Sequence, residues 1–193
     1  MSVAPHRLKS CGRATDGTEL EFMDAEGNIL ATGETGQIVI RGDLPTPGYY
    51  NSPEETAGLK RDGWHLTGDV GYRGPDGYVY IIDRLKEMII TGGFNVFPSE
   101  VEQALMGHEA IFECVVIGVP SEKWGEEVWA IVKLKPGKVA REEDLITFAR
   151  SRVGAVRAPK MIELWEQLPK SASGKILRKK VREKYWRGQD RQV

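Results

Sequence analysis

A lysine at the end of a short polar segment is the residue of this sequence best suited to chemistry on a phosphate. Lys175 closes residues 168–175, which read Leu-Pro-Lys-Ser-Ala-Ser-Gly-Lys. Its ammonium is a point charge on a long, flexible stem. Such a group can neutralise the negative charge that builds on non-bridging phosphate oxygens when a carboxylate attacks. Most exposed lysines have no such role, so the residue type alone does not assign one.

A second candidate is Asp69, at the end of residues 63–69, which read Gly-Trp-His-Leu-Thr-Gly-Asp. A carboxylate offers several acceptor sites and no competing donor, which suits the two neighbouring hydroxyls of a ribose. An aspartate that caps its own turn has the same local sequence. The Thr-Gly-Asp run is predicted to be a turn, and its ligand stays open at this point.

Residues 83–102 combine features that turn the chain and start a helix. Residues 88–90 are apolar and β-prone, which predicts a short strand. The glycines at 92–93 lack a Cβ, so the backbone can turn there or approach a ligand closely. Residues 98–102 read Pro-Ser-Glu-Val-Glu and predict a helix start stabilised by a capping box. Strand, glycine turn and capped helix also form an ordinary structural unit.

The elements that must position these residues change character along the chain. Residues 1–102 carry 9 Lys and Arg against 16 Asp and Glu, whereas residues 103–193 carry 18 against 12. The acidic part contains repeated turn dipeptides that end in glycine and separate short extended runs, which predicts antiparallel strands. Strands are predicted at 19–23, 36–40 and 78–82, and a short helix at 52–56.

After Lys86 the pattern alternates between strands and amphipathic helices. The last helix is basic, with Leu177, Val181 and Tyr185 along one stripe. The sequence therefore predicts an α+β fold, in which a short antiparallel, β-barrel-like subdomain precedes a small α+β domain. Strands are predicted at 88–90, 114–119, 128–134 and 161–165, and helices at 100–106, 141–153 and from 176 onward.

Composition excludes several classes of protein. The 193 residues are 40% hydrophobic and 28% charged, as in an ordinary globular protein. No apolar run approaches the ~20 residues that a membrane span requires, and the N-terminus has no hydrophobic leader, so a cytoplasmic location is expected. Cys11 and Cys114 are isolated. We therefore expect no disulfide framework and no metal site, but one surface thiol and one buried cysteine.

The three segments described above resemble motifs of the adenylate-forming superfamily of acyl-CoA synthetases, luciferases and peptide-synthetase adenylation domains. Their order and spacing match as well. The resemblance covers almost the whole chain, but only the C-terminal part of a full synthetase. It implies that residues 1–82 are the distal β subdomain of the large adenylate-forming domain, that 83–86 are a hinge, and that 87–193 are the C-terminal lid domain.

The resemblance also implies roles for individual residues. Lys175 would be the catalytic lysine of adenylation and a candidate for acetylation, which would remove its charge. Asp69 and Arg84 would bind the nucleotide. Lys86 would be the hinge residue about which the lid turns between two half-reactions.

The double-glycine loop would serve the second half-reaction. Gly92, Gly93 and Phe94 would line the channel for the pantetheine arm of coenzyme A, since a narrow tunnel tolerates backbone and little else. Trp124 lies where many relatives carry an aromatic near this channel, although core packing explains it equally well. The sequence departs from the superfamily at Leu66, where an arginine often precedes Thr-Gly-Asp.

The sequence lacks the superfamily's Ser/Thr/Gly-rich phosphate loop, its Tyr-Gly-x-Thr-Glu segment and its acyl pocket, which lie upstream. The resemblance implies the C-terminal part of an ATP-dependent acyl-CoA ligase, which joins a carboxylic acid to coenzyme A through an acyl-adenylate and releases AMP and pyrophosphate. ATP with Mg²⁺ and coenzyme A would serve the full-length parent, together with its N-terminal domain. The fragment would hold no ligand tightly and would be inactive alone, because orienting the reactants can account for ~7–11 kcal/mol of a barrier.

Two other functions stay open. The chain can be a non-catalytic module that binds AMP or coenzyme A. Alternatively, the basic segment 170–191 can bind nucleic acid, which the acidic first half and the lack of interleaved aromatics disfavour. Within the superfamily, residues 83–102 resemble fatty and aryl acyl-CoA ligases, whereas peptide-synthetase domains more often carry a single glycine followed by His or Arg. Luciferase-type oxidation is a minor option, since its distinguishing pocket would lie upstream.

Overall fold

The chain divides into two compact units in a computed structural model that describes residues 5–186. The first unit is Met1–Lys86 and the second is Glu87–Val193. The boundary falls inside a short 3-10 helix, Leu85–Glu87. Each unit has its own hydrophobic clusters, so each has the packing that a separate folded body requires.

The first unit is one antiparallel sheet of five strands. Strand β4 lies at its centre, since it pairs with β2 along one edge and with β3 and then β5 along the other. The elements are a 3-10 helix Pro5–Lys9, β1 Thr18–Met23, β2 Gly36–Gly42, α1 Pro53–Ala57, β3 Lys60–Arg61, β4 Trp64–Arg73 and β5 Val79–Arg84.

Neighbouring residues of β1 and β2 point to opposite faces of this sheet, as strand geometry requires. Phe22 and Ile38 pack on one face with Val79. Met23 and Val39 pack on the other face with Trp64. The alternation of two buried faces fixes the register of β1 on β2, because a slip by one residue would reverse both faces.

The second unit is a mixed sheet flanked by helices. Strand β9 pairs with β8, β6 and β10, and only the pairing with β10 is parallel. The elements are β6 Ile89–Thr91, β7 Phe94–Val96, α2 Pro98–Met106, β8 Ile111–Ser121, β9 Gly125–Leu134, α3 Glu142–Arg157, β10 Met161–Leu164 and α4 Arg178–Arg182.

Both faces of the β8–β9 pair are buried. Cys114 and Val116 point to the face that packs with Leu145 of α3. Val115 and Ile117 point to the opposite face, with Val181 of α4. Because each fully buried aliphatic side chain contributes about 1.5–3 kcal/mol, the two layers hold both helices on the sheet.

The predicted α+β fold is confirmed, and most elements lie within a few residues of their predicted positions. Ser52 is the N-cap residue of α1 and Pro53 its first residue, at the predicted positions, but Ser52 makes no side-chain capping bond. The helix predicted at 141–153 is also present. Its regular part ends at Gly154, which has φ 81° and ψ 168°, and Gly154 therefore interrupts the helical dihedrals before Arg157.

Two local predictions are wrong. The Thr-Gly-Asp run at 67–69 is not a turn, because it lies inside strand β4. The capping box of α2 does not form, since Phe97 is the N-cap residue and makes no side-chain capping bond. Glu102 instead accepts the N–H of Val116 at 2.8 Å and contacts Arg178. The strand Phe94–Val96 was not predicted, because the double glycine was read as the start of a loop.

The basic helix α4 is shorter than predicted within residues 5–186. It begins at Arg178 rather than at 176, and the predicted segment beyond Trp186 lies outside the described residues. Val181 is buried and Tyr185 packs beside it, in agreement with the predicted stripe, whereas Ile176 rather than Leu177 belongs to this cluster.

The two cysteines differ as expected. Cys11 is exposed and Cys114 is buried. Burial, with a smaller contribution from Glu102, raises the pKa of the Cys114 thiol to about 12. Within the described residues, no group of three His, Cys, Asp or Glu is arranged to hold a metal ion. No helix in this part of the chain has the length and apolar character needed to cross a membrane.

Candidate functional site

Asp69 and Arg84 lie directly opposite each other on β4 and β5. The guanidinium Nε of Arg84 is 3.1 Å from Oδ1 of Asp69. The Asp69 side chain is 29% exposed and that of Arg84 is 61% exposed, so both groups are accessible to solvent. The structure therefore brings together the two residues predicted to bind a nucleotide. A carboxylate held by one arginine retains further acceptor sites for hydroxyl donors.

A β-bulge places Asp69 in this position. Leu66 pairs with Val39 and Val70 pairs with Gln37, so residues 67–69 stand opposite a single residue, Ile38. Inside the bulge, the Thr67 hydroxyl donates to the carbonyl oxygen of Ile38 at 2.7 Å, and the Asp69 N–H donates to Thr67 Oγ1 at 3.1 Å. Bulges redirect side chains at functional sites. The Thr-Gly-Asp run forms such a bulge, and this explains how Asp69 is oriented.

Lys175 lies on a tight hairpin in the second unit. The N–H of Ser171 donates to the Lys175 carbonyl oxygen at 2.8 Å, and the Leu177 N–H donates to the Pro169 carbonyl oxygen at 2.8 Å. The Lys175 N–H also donates to Ser171 Oγ at 3.2 Å. Lys175 is exposed, and among residues 5–186 its ammonium makes no ion pair. The backbone is therefore ordered while the charge is available to a ligand.

Ionic contacts anchor the hairpin on both sides. On the N-terminal side, Lys170 Nζ is 2.5 Å from Glu113 Oε2 on β8. On the C-terminal side, Arg178 Nη2 is 2.6 Å from Glu102 Oε1. These contacts attach the segment that carries Lys175 to the sheet and to α2.

Arg178 belongs to a network that the sequence did not reveal. Its Nη1 is 3.9 Å from Glu87 Oε2, and Arg182 Nη1 is 3.2 Å from the same oxygen. Glu87, Glu102, Arg178 and Arg182 have side chains only 17–22% exposed. Glu87 is the first residue of the second unit, so the network joins the start of this unit to the lysine hairpin.

A cavity of about 220 Å³ opens beside the double glycine of the second unit. The Gly92 N–H donates to the Trp124 carbonyl oxygen at 2.8 Å. A Cβ on Gly92 would lie 2.8 Å from ring atom Cε3 of Trp124, and Gly92 has φ +55°. Only glycine fits this position without displacing the ring. The cavity is lined by Thr91, Gly92, Phe94, Trp124, Arg150, Ala155, Val156 and Lys160.

Two cations give this apolar cavity a positive charge. Arg150 and Lys160 both line it, and Lys160 Nζ donates to the Ala155 carbonyl oxygen at 2.7 Å. Desolvation, and next the charge of Arg150, lower the pKa of the Lys160 ammonium. An anion bound here would be attracted to both groups, which suits a ligand that carries phosphate together with an apolar arm.

Three of the four residues predicted for a coenzyme A channel line this one cavity, namely Gly92, Phe94 and Trp124. Gly93 has φ +82° and completes the turn between β6 and β7, but it is not among the lining residues. Lys86 lies in the 3-10 helix at the unit boundary. The roles of these residues as channel and hinge stay predictions.

Sequence comparison assigns the chain to a family. The family model of the AMP-binding enzyme C-terminal domain matches residues 100–175. These residues include the β8–β9 pair and Lys175. The chain is also 49% identical over 162 residues to the long-chain-fatty-acid–CoA ligase of Bacillus subtilis. The aligned residues cover 84% of this chain and 29% of that relative. The chain belongs to the adenylate-forming family of AMP-binding enzymes.

Solved structures of adenylate-forming enzymes have the same fold. The ATP-bound structure of MatB from Rhodopseudomonas palustris matches with a TM-score of 0.85 at 33% identity, over 92% of this chain and 36% of that chain. The o-succinylbenzoate-CoA synthetase of Bacillus subtilis, in complex with its acyl-adenylate intermediate, matches with a TM-score of 0.81 at 30% identity, over 91% and 36%. The chain thus spans about a third of the length of the relatives it matches.

The sequence analysis missed five of the eight residues that line this cavity. Arg150 and Lys160 have no distinguishing local pattern, and only the fold brings them beside Trp124. One signal was present, because Gly154 follows the helical pattern directly. Its positive φ interrupts the helix, and the next two residues, Ala155 and Val156, line the cavity.

We expect Gly154→Ala to destabilise the second unit by about 1–3 kcal/mol, because its φ and ψ lie in a region that only glycine occupies without strain. Urea unfolding, followed through amide signals of the unit that carries the substitution, measures this change. Gly58→Ala is the matched control, since Gly58 has φ −74° and ψ −7° and a Cβ there would meet only an ordinary contact at 3.6 Å. Equal effects of both substitutions would contradict the assignment of strain to Gly154.

Proposed function

We propose that the chain is the C-terminal part of an ATP-dependent acyl-CoA ligase. The reaction joins a carboxylic acid to coenzyme A through an acyl-adenylate, with release of pyrophosphate and then AMP. The observation that carries this proposal is the cavity at the double glycine, where apolar walls and two cations lie together. Coenzyme A has the matching chemistry, because it combines phosphates with a long pantetheine arm.

Asp69 and Arg84 are the proposed nucleotide-binding residues of the first unit. Their contact at 3.1 Å fixes the orientation of the carboxylate on the central strand β4. Asp69 would accept the ribose hydroxyls of ATP and of the acyl-adenylate, for which a carboxylate is a suitable acceptor. Arg84 would hold the orientation of that carboxylate and contact the ribose region.

Lys175 is the proposed catalytic residue of adenylation. When the carboxylate attacks the α-phosphate, charge builds on the non-bridging oxygens and pyrophosphate leaves. An ammonium on an ordered hairpin can stabilise this charge, because its backbone is fixed while its long stem reaches the ligand. Mg²⁺ would accompany the phosphates of ATP, since this ion is commonly held by substrate phosphates and a few carboxylates.

Gly92, Gly93, Phe94 and Trp124 are the proposed contacts of the pantetheine arm. Arg150 and Lys160 would pair with the phosphates of coenzyme A. Lys86 is the proposed pivot between the two half-reactions, and residues 83–86 the hinge. Support for the pivot is the division of the chain directly after Lys86. Activation of the acid would require segments of the ligase outside this sequence, including its N-terminal domain.

Calorimetric titration of the chain with coenzyme A tests the cavity. The double substitution of Arg150 and Lys160 by alanine is expected to weaken binding about tenfold or more, because a hydrogen bond to a charged group contributes about 1.5–3 kcal/mol. The control replaces Lys179 and Lys180, which are exposed on α4, and removes the same charge. Pantetheine without phosphates should bind all three proteins alike. Equal affinity of the three proteins for coenzyme A would contradict the proposal.

A further inference from the structure

Glu126 is a buried acidic residue beside the cavity wall. It is only 6% exposed, on strand β9. Placing an ionisable carboxylate inside a protein is unfavourable unless it is paired or hydrogen-bonded. The proposed chemistry of Lys175, Asp69 and the cavity does not use this group. Its contacts point to a different role.

The Glu126 carboxylate satisfies the backbone of strand β6. Its Oε2 accepts the N–H of Ile90 at 2.9 Å. Strand β6 pairs with β9 at one position, Thr91 with Gly125, so the ladder between these strands is minimal. The side chain of Glu126 therefore takes the place that a further main-chain acceptor would have in a longer ladder.

The next two residues after Ile90 line the cavity. Thr91 is 5% exposed, and Gly92 donates its N–H to Trp124. Trp124 lies two residues before Glu126 on the chain. A shift of β6 relative to β9 would therefore move the Thr91–Gly92 wall relative to the Trp124 ring.

Strand β8 leaves room for the carboxylate. A Cβ built on Gly118 would lie 2.8 Å from Cδ and 2.8 Å from Oε2 of Glu126. Gly118 has no positive φ, so the backbone itself does not require glycine. Space for the Glu126 side chain is the physical reason for a glycine at this position of a buried strand.

We propose that Glu126 is a positioning residue of the cavity, which holds β6 on β9 so that Thr91 and Gly92 face Trp124. The ligand assigned to the cavity rests on the proposed function, whereas the control of its geometry by Glu126 does not. Gly118 contributes to this positioning, because the absence of a side chain leaves the space that the Glu126 carboxylate occupies.

The test uses the whole chain with three single variants and one double variant. In Glu126→Ala, exchange of the Ile90 amide with solvent is expected to accelerate about tenfold or more, as the loss of a bond to a charged acceptor implies. Glu126→Gln should restore protection, because its side-chain amide oxygen can accept the same N–H. Gly118→Ala should reproduce the loss, since its methyl group displaces the carboxylate. In the double variant Gly118→Ala/Glu126→Ala, the methyl enters vacated space, so no further loss is expected.

Two readouts report the cavity itself. The indole N–H resonance of Trp124 should shift in Glu126→Ala and Gly118→Ala, and remain near the wild-type value in Glu126→Gln. Affinity for coenzyme A should fall about tenfold in Glu126→Ala and in Gly118→Ala. Val181→Ala controls for general loss of stability, because Val181 packs on the opposite face of the sheet and should not change the Trp124 resonance.

The outcomes separate the two proposals. Unchanged Ile90 exchange in Glu126→Ala, or an unchanged Trp124 resonance despite faster exchange, overturns the positioning role. Additive losses in the double variant overturn the shared role of Gly118. If the wild-type chain binds no coenzyme A while Ile90 and Trp124 respond as expected, the proposed ligand fails and the positioning role stands.

Discussion

Replacement of Lys175 by alanine is expected to reduce acyl-adenylate formation by the complete ligase at least ~10²–10³-fold, the effect of removing one charge-stabilising group from a transition state. Thioester formation from supplied acyl-adenylate should remain largely intact, because the α-phosphate has already reacted. The two half-reactions are measured separately, by pyrophosphate release and by consumption of synthetic acyl-adenylate with coenzyme A.

Lys179→Ala is the matched control for this experiment. Lys179 is exposed on α4, four residues after Lys175, and its loss changes net charge equally. It should alter neither half-reaction by more than about twofold, since an exposed lysine without a ligand contributes little. Equal loss of both half-reactions in Lys175→Ala would contradict the assigned role, because it would indicate damage to the hairpin rather than loss of a charge.

Replacement of Arg178 by alanine is expected to destabilise the second unit by about 3 kcal/mol, toward the lower end of the range for breaking a buried ion pair. The reason is the environment of its partners. Glu102 and Glu87 are 22% and 17% exposed, and without Arg178 both carboxylates would lose a neighbouring cation in a place with little water. Urea unfolding measured on amides of the second unit gives the change, because a chain of two units need not unfold in one step.

Two comparisons make this result specific. Arg141→Ala removes an arginine whose ion pair with Asp144 is exposed, with side chains 76% and 54% accessible, and should change stability by less than about 1 kcal/mol. Arg178→Lys should recover part of the loss, since it restores the charge without the planar guanidinium. A change below 1 kcal/mol for Arg178→Ala would show that the network does not hold the hairpin on α2.

Local sequence patterns predicted the elements that depend on neighbouring residues. The helix at 141–153 was predicted nearly to its end, because Gly154 interrupts a regular apolar pattern. Ser52 and Pro53 also marked the start of α1 correctly. The need for glycine at position 92 was predicted as well, since a close approach of the backbone depends on the absence of a Cβ.

Predictions failed where a partner far away in the chain determines the local conformation. Thr-Gly-Asp has the composition of a turn, but pairing of β4 with β2, about 30 residues earlier, makes it a bulge. Glu102 has the spacing of a capping residue, but the Val116 N–H and Arg178 are its partners in the structure. A turn and a bulge, or a cap and a tertiary ion pair, use the same residue types, so local sequence does not separate them.

The sequence by itself determined the α+β fold, the order of its main elements, the family resemblance and the candidates Lys175, Asp69 and Arg84. These depend on periodicity, turn residues and motifs, which are patterns among residues close together in the sequence. Only the tertiary structure decided that Arg84 contacts Asp69, that Trp124 closes on Gly92, and that Glu126 supports Ile90. Such contacts depend on strand register and burial, which bring together residues that are far apart in the chain.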